Sequence, residues 1–350
     1  NQAIRNAQDA QGLINTAEGA QKEVENILQR MRELAVQSAN DTNSSEDRSA
    51  LNNEITQLSS EIDRIASTTT WAGQNLLDGS FVSKTFQIGS ARGVTLAVSQ
   101  DSIKASDIGS FVIDTATALS GPDATTAATD LTSPGFTVLG KEGSAAATVT
   151  AGASAKTLAA AVNTDTTSTG VKAVANTAIR ISLTGDPAGQ TTMTLQGGGS
   201  AISISASVTS ATDLTALLSA INTYAGTTGV TAEFNGSDKS KLILREADGD
   251  DIKIQNFTAT TAAPAAVTAA VEKQTNFAGD AFTTGVTLTS AGANSTIATG
   301  VVRLSSTTAF TTSGGTATTG YNGSATGQAS ALSRVSDVSV TTRANAESAL

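Results

Sequence analysis

The strongest constraint on this chain is an unbroken alternation of three- and four-residue steps between apolar or small residues along its opening segment. Between positions 2 and 39 there is no proline, and glycine occurs only at Gly12 and Gly19. The seam runs through Ala10, Leu13, Ala17, Ala20, Val24, Ile27, Met31, Leu34 and Ser38. Such steps average about 3.5 residues, close to one α-helical turn, so these side chains fall on a single stripe. Water-exposed, that stripe forfeits roughly 25 cal/mol per Å² of apolar area, so the pattern predicts a long helix packed sideways against others in coiled-coil fashion. Ile14, Leu28 and Ala35 lie on its flank. Polar residues at 40–45 interrupt the pattern, and Ser44 followed by Asp47 reads as the capping box of a second helix. That helix carries Leu51, Ile55, Leu58, Ile62 and Ile65. Two long helices joined by a short polar turn are expected to pack antiparallel.

The code changes at Thr68-Thr69-Thr70 and Gly73, where the second helix is expected to end. Period-two segments follow at 84–88 and 93–98, with 89–93 as a hairpin connection. From about 111 to 328 the chain is rich in Thr, Ser, Ala and Gly, and short β-type runs appear at 178–183, 201–206 and 241–244. An internal repeat runs through this region. Ser154-Ala-Lys-Thr-Leu-Ala-Ala-Ala-Val-Asn163 followed by Thr169-Gly-Val-Lys-Ala173 recurs as Thr212-Asp-Leu-Thr-Ala-Leu-Leu-Ser-Ala-Ile-Asn222 followed by Thr228-Gly-Val-Thr-Ala232. Each copy reads as strand, short helix, turn and two strands. Beyond Ser330, 335–340 reads as a strand and 343–350 as the start of a helix. The expected fold class is therefore α+β and multidomain: a long antiparallel helical rod of coiled-coil type with a β-hairpin, plus β-rich outer domains containing two β-α-β-β-like repeats. The expected boundaries are 1–110 for the first part of the rod and 111–328 for the outer region, with a return into the rod at 329–350. Modules are expected at about 135–195 and 200–258, leaving 259–328.

Composition removes whole classes of chemistry. Among 350 residues there is no cysteine and no histidine, so catalysis by Ser-His-Asp or Cys-His and His-ligated zinc are impossible within the chain. No enzymatic site and no cofactor are expected. A formal charge of −10 opposes binding to nucleic acid or an anionic membrane, and no apolar run is long enough to span a bilayer. Asp248, Asp250 and Asp251 form one acidic cluster, but a calcium loop needs more oxygen ligands in a defined order, and Asp-Gly favours a hairpin turn. Gly197 to Gly199 lack the Gly-Lys-Ser/Thr of a phosphate loop and read as a plain loop. Sequons at Asn235 and Asn322 are commonplace in a chain this rich in Thr and Ser.

Three separated motifs carry a family resemblance. They are Gln29-Arg-Met-Arg-Glu-Leu-Ala-Val-Gln-Ser-Ala-Asn40, then Glu54-Ile-Thr-Gln57 with Glu61-Ile-Asp-Arg-Ile65, then Gln74-Asn-Leu-Leu-Asp-Gly79. In this order, over roughly the first 100 residues, they resemble the N-terminal half of the rod domain of bacterial flagellin. Ala344-Asn-Ala-Glu-Ser-Ala-Leu350 resembles the start of that family's returning helix. Where the family usually has an aromatic followed by Asn-Gly, this chain has Trp71-Ala72-Gly73.

The resemblance implies a secreted structural subunit of the extracellular flagellar filament. The implied partners are other flagellin subunits, an export chaperone and a filament cap. It also implies recognition by the animal Toll-like receptor 5 through Gln29, Arg30 and Leu34 on the first helix and Glu54 on the second. Leu34 also falls on the seam, so it reads equally as core. Relative to the family pattern the chain lacks both terminal helices and most of the returning helix. It is thus expected to be a fragment that does not polymerise alone, with part of the Ala10 to Ser38 seam either exposed or covered by another copy. The alternatives are a hook-filament junction protein and a secreted adhesin binding host glycans.

Overall fold

The three-four seam forms helix α1 (Gln2–Ser38), and the segment after the polar turn forms α2 (Ser45–Thr68). This structure is a computed structural model and describes residues 2–40, 42–89, 93–115, 119, 136–150, 152–185, 187–261, 267–290, 292, 294–313 and 328–350. The Asn322 sequon lies outside them. Ser44 opens α2 as a reciprocal cap: its hydroxyl accepts the Asp47 N–H at 3.2 Å, and the Asp47 carboxylate accepts the Ser44 N–H at 3.0 Å. Arg48 then donates to the carbonyls of Ser38 at 3.0 Å and Asn40 at 3.1 Å, satisfying groups that the end of α1 leaves open.

The chain divides into two compact units, Asn1–Ser110 with Leu332–Leu350, and Phe111–Ala331. In the first unit the seam is covered. Ala10, Leu13, Ala17, Val24, Met31, Leu34 and Ser38 are buried, and Ala20 and Ile27 are half-buried. Leu76, Leu77, Phe81 and Val98 close over Leu13 and Ala17, while Ile55, Ile62, Val340 and Ala346 close over Val24, Met31 and Leu34. The expectation of an exposed seam is therefore corrected: Leu76 to Phe86 with Val98, and the segment at 335–349, fold back over it. Ile14 is 41% exposed and does not support the core, because it lies off the stripe that these segments reach.

Glycine at position 12 has a packing reason. A Cβ there would lie 2.7 Å from the Trp71 ring, whereas one at Gly19 would meet nothing within 4 Å. Trp71 begins a tight hairpin in which Thr70 and Trp71 pair with Asn75 and Gln74, and the two turn residues both have positive φ, Ala72 at 49° and Gly73 at 79°. The segments at Lys84–Gln87 and Thr95–Val98 pair antiparallel, and their connection includes residues outside the described set.

The expected strand at 335–340 is not one. Val335–Asp337 is a 3₁₀ turn, followed by extended chain whose backbone groups pair with helix side chains instead of a neighbouring strand. Val340 donates its N–H to Asn52 Oδ1 at 3.0 Å, and its carbonyl accepts the Ser38 hydroxyl at 2.7 Å. A short helix follows at Arg343–Ser348.

The second unit is dominated by sheets. The 13-residue strand Lys172–Thr184 is its spine. Along one side it pairs with Asp238–Glu246, and along the other first with Val301–Ser306 and then with Thr268–Gln274. A four-stranded antiparallel sheet has the order Ile202–Val208, Pro187–Gln196, Ile252–Thr261, Thr296–Ala298. The two sheets enclose one core, with Ile179, Ile181, Leu242 and Leu244 facing Met193, Leu195, Ile204 and Ile254. A separate core lies at the other end of the spine, where Ala173 packs with Phe136, Val138, Leu158, Val162 and Leu304.

The two copies of the sequence repeat make the same local contacts. The helices Ala155–Thr164 and Thr215–Thr223 are each followed by a four-residue turn of helix and a left-handed glycine, Gly170 or Gly229. Thr169 Oγ1 accepts the Val171 N–H and Thr228 Oγ1 accepts the Val230 N–H, both at 3.2 Å. Identical residues at matched positions thus close the same turn.

Candidate interaction face of the helical unit

The motif at 29–40 divides by helical period into two faces with different tasks. Met31, Leu34, Ala35 and Ser38 point inward, and Ser38 spends its hydroxyl on Val340. Gln29, Arg30, Arg32, Glu33, Val36 and Gln37 point outward. On this outer face Arg30 joins the helices: Nε and Nη2 donate to Glu54 Oε1 at 3.0 and 2.8 Å, and Nη1 donates to Glu33 Oε2 at 3.2 Å. The hydrogen bonds that Arg30 donates to Glu54 and then to Glu33 raise its pKa above the ordinary value. The guanidinium and the Glu54 carboxylate remain about half exposed, so they are held in place yet accessible.

Of the residues singled out in sequence, the structure brings Gln29, Arg30 and Glu54 to the surface of α1 and α2. It does not bring Leu34 there. Leu34 is 1% exposed and packs in the cluster containing Ile55, Ile62 and Val340. Several other motif residues have roles within the fold. Asp63 Oδ1 accepts the Ala105 N–H at 2.8 Å, while Glu61 pairs with Arg64 at the surface. In the 74–79 motif, Leu76 and Leu77 are fully buried. Asp78 accepts from the Ser80 hydroxyl and N–H and from Asn75 Nδ2. These bonds, the Ser80 hydroxyl first, hold its pKa down at about 2. Glu33 as a second partner of Arg30 had no signal beyond its i,i+3 spacing.

The acidic cluster at 246–251 behaves differently from its expectation as a hairpin turn. Asp238–Glu246 and Ile252–Thr261 do not pair with each other but lie in the two different sheets, so the segment is a corner between sheets. The Glu246 carboxylate draws it together by accepting the N–H groups of Asp250 at 2.7 Å and Asp248 at 3.1 Å. Burial raises the Glu246 pKa. Glu246, Asp248 and Asp250 place carboxylate oxygens within 4.8 Å of one another, which is close enough to suggest a metal site. The Lys156 ammonium already stands there, 2.7 Å from Asp250 and 3.3 Å from Asp248. It supplies the positive charge that a cation would bring.

Comparison with known proteins agrees with the helical motifs. Residues 1–82 match the model described as the bacterial flagellin N-terminal helical region, and residues 192–248 match the flagellin hook IN motif. The latter spans the second copy of the internal repeat. The B-type flagellin of Pseudomonas aeruginosa is 35% identical over 353 aligned residues, covering 100% of this chain and 70% of that protein. Flagellin A of Vibrio cholerae is 50% identical over 105 residues, 30% of this chain and 28% of that protein. Among solved structures, FliC from Burkholderia pseudomallei is 38% identical over 33% of this chain and 47% of that chain, with a TM-score of 0.30. No helix among the described residues is long and apolar enough to cross a membrane. With one relative matched along the whole chain and the helical region matched by its family model, the chain belongs to the flagellin family, whose members are structural components of the extracellular bacterial flagellar filament.

Proposed function

We propose that this chain serves as a filament-building subunit whose α1–α2 unit, a rod of coiled-coil type, carries the lateral contacts, and whose outer face at Gln29, Arg30 and Glu54 is read by Toll-like receptor 5. The observation that supports this most is the split of the 29–40 motif. Its inner half is consumed by the core, while Gln29 and the Arg30–Glu54 pair stay accessible. An ordered guanidinium beside a carboxylate offers a partner directional donors and acceptors at little entropic cost. Leu34 enters this reading only by shaping the helix pair.

Assembly follows from repeated heterologous contacts whose rotation does not close, which yields a helical filament in place of a ring. In this reading 111–328 is the outer region, with modules at about 135–195 and 200–258, and 329–350 returns to the rod. Secretion with the help of an export chaperone and growth beneath a cap protein belong to the same proposal.

Two experiments test it. Full-length protein lacking 111–328 is expected to assemble filaments, and normal secretion without assembly would refute the division of labour. Arg30→Ala and Glu54→Ala are expected to lower receptor signalling while helicity by circular dichroism stays unchanged. Full signalling in both variants removes these residues from the receptor face.

A further inference from the structure

Asparagine followed by glycine occurs at 235–236 and at 322–323, and the second pair lies outside the described residues. Asn235 ends strand Thr231–Asn235, and Gly236 and Ser237 turn the chain into Asp238–Glu246. Both turn residues are exposed, and Gly236 has a φ of 65°. A Cβ on Gly236 would meet nothing within 4 Å, so its nitrogen is open to approach. Among the described residues that N–H makes no hydrogen bond, and neither does the Asn235 side chain.

The ladder holds Asn235 weakly. Pairing runs from Thr231 opposite Arg245 to Phe234 opposite Leu242, then jumps to Asn235 opposite Asp238, passing over Lys239, Ser240 and Lys241. A terminal pair beyond such a break opens as readily as a fraying end, so the Asn235 backbone can turn its side chain towards the next nitrogen. The asparagines of the two repeats are held differently. Asn163 and Asn222 have both atoms of the side-chain amide bonded, and a β-branched threonine follows each.

We propose that Asn235 is a self-modifying site, at which the Gly236 nitrogen converts the side-chain amide into aspartate and isoaspartate without any enzyme. The nitrogen, having given its proton to hydroxide, attacks Asn235 Cγ. The new N–Cγ bond closes a five-membered imide, the Cγ–Nδ2 bond breaks, and the side-chain nitrogen leaves as ammonia. Water then opens the imide. Cleavage of N–Cγ leaves aspartate, and cleavage on the backbone carbonyl side leaves isoaspartate, with the chain running through the former side chain.

Either product sets a carboxylate directly opposite Asp238, at about 4.5–5.5 Å between Cβ atoms, and like charges so placed are destabilising. Asp238 stays ionised, since hydrogen bonds from the Ser240 hydroxyl and N–H, with Lys241 nearby, lower its pKa. Lys239 accepts the Leu214 N–H at 2.9 Å just before helix Thr215–Thr223, so a loosened turn reaches that helix. In subunits retained in a filament the conversion accumulates with age. That consequence rests on the filament reading above; the chemistry does not.

The test incubates the full native chain in water enriched in heavy oxygen, at mildly acidic and mildly alkaline pH, and reads each asparagine by peptide mass. Position 235 is expected to gain heavy oxygen faster at alkaline pH, to react with an isoaspartate-specific methyltransferase, and to convert at least several-fold faster than Asn163 or Asn222. Asn235→Gln, whose imide would need a six-membered ring, is expected to stop it. Labelling at 235 in urea-unfolded chain but not in native chain overturns the inference, because the fold then protects the site. Equal rates at 235, 163 and 222 also overturn it. Asn235→Asp is expected to lower the urea midpoint of the sheet-rich unit, and Asp238→Asn in that background to restore it. A midpoint unchanged by Asn235→Asp overturns the loosening of the turn. Failure of filament assembly on removing 111–328 bears on the filament reading alone.

Discussion

Asn222 holds Ala232 by both of its backbone polar groups, donating from Nδ2 to the carbonyl at 2.9 Å and accepting the N–H on Oδ1 at 2.7 Å. In the first repeat Asn163 grips Ala173 in the same way, with both bonds at 2.8 Å. Each clamp fastens the end of a short helix to the strand it precedes. The asparagine in each copy of the repeat is thus accounted for by hydrogen bonding alone. Asn222→Ala and Asn163→Ala are each expected to cost about 1–3 kcal/mol, two hydrogen bonds to part-buried groups. Urea unfolding followed in the sheet-rich unit measures this, and an unchanged midpoint would show that water replaces the clamp.

The two glycines of α1 should respond oppositely to alanine. Gly19→Ala meets open space and is expected to stabilise the helix by roughly 0.5–1 kcal/mol. Gly12→Ala drives a methyl into the Trp71 ring and is expected to lower stability and shift Trp71 fluorescence. Equal effects at both sites would contradict the close approach.

Ala72 occupies a turn position with φ of 49°, followed by Gly73 at 79°. Both turn residues of such a hairpin favour Asn or Gly, and a left-handed alanine costs about 1 kcal/mol. Ala72→Asn and Ala72→Gly are each expected to raise the thermal midpoint of the helical unit. No rise in either would mean that the turn carries no strain.

Asp251 lies at the sheet corner with one buried oxygen, Oδ1, lacking a hydrogen-bond partner. Burial above all, aided by nearby Asp250 and opposed by Lys253, pushes its pKa up to about 6. Because the folded state binds this proton more tightly than the unfolded chain, the charged form costs stability above pH 6, and that cost is relieved as pH falls. Asp251→Asn is therefore expected to be more stable than the parent at pH 7.5. The advantage should fade between about pH 6 and pH 4, where both side chains become neutral. Urea midpoints of both proteins across this range decide it, and a pH-independent difference would assign the effect to packing.

What the sequence determined by itself is whatever repeats locally. The seam of α1, the Ser44–Asp47 cap and the recurring asparagine-to-alanine spacing are set by contacts within one helix turn or one short motif, so they are legible from neighbouring residues. Tertiary structure decided where distant segments meet. It covered the seam with Leu76, Leu77 and Val340, which placed Leu34 inside and left Arg30 and Glu54 outside. It gave Gly12 its role through Trp71. It sent Asp238–Glu246 and Ile252–Thr261 into different sheets although they adjoin in sequence. It satisfied Val340 with Ser38 and Asn52 instead of a strand. In each case the outcome depends on which partner, far along the chain, satisfies a buried backbone group or apolar face, and local periodicity carries no information about that choice.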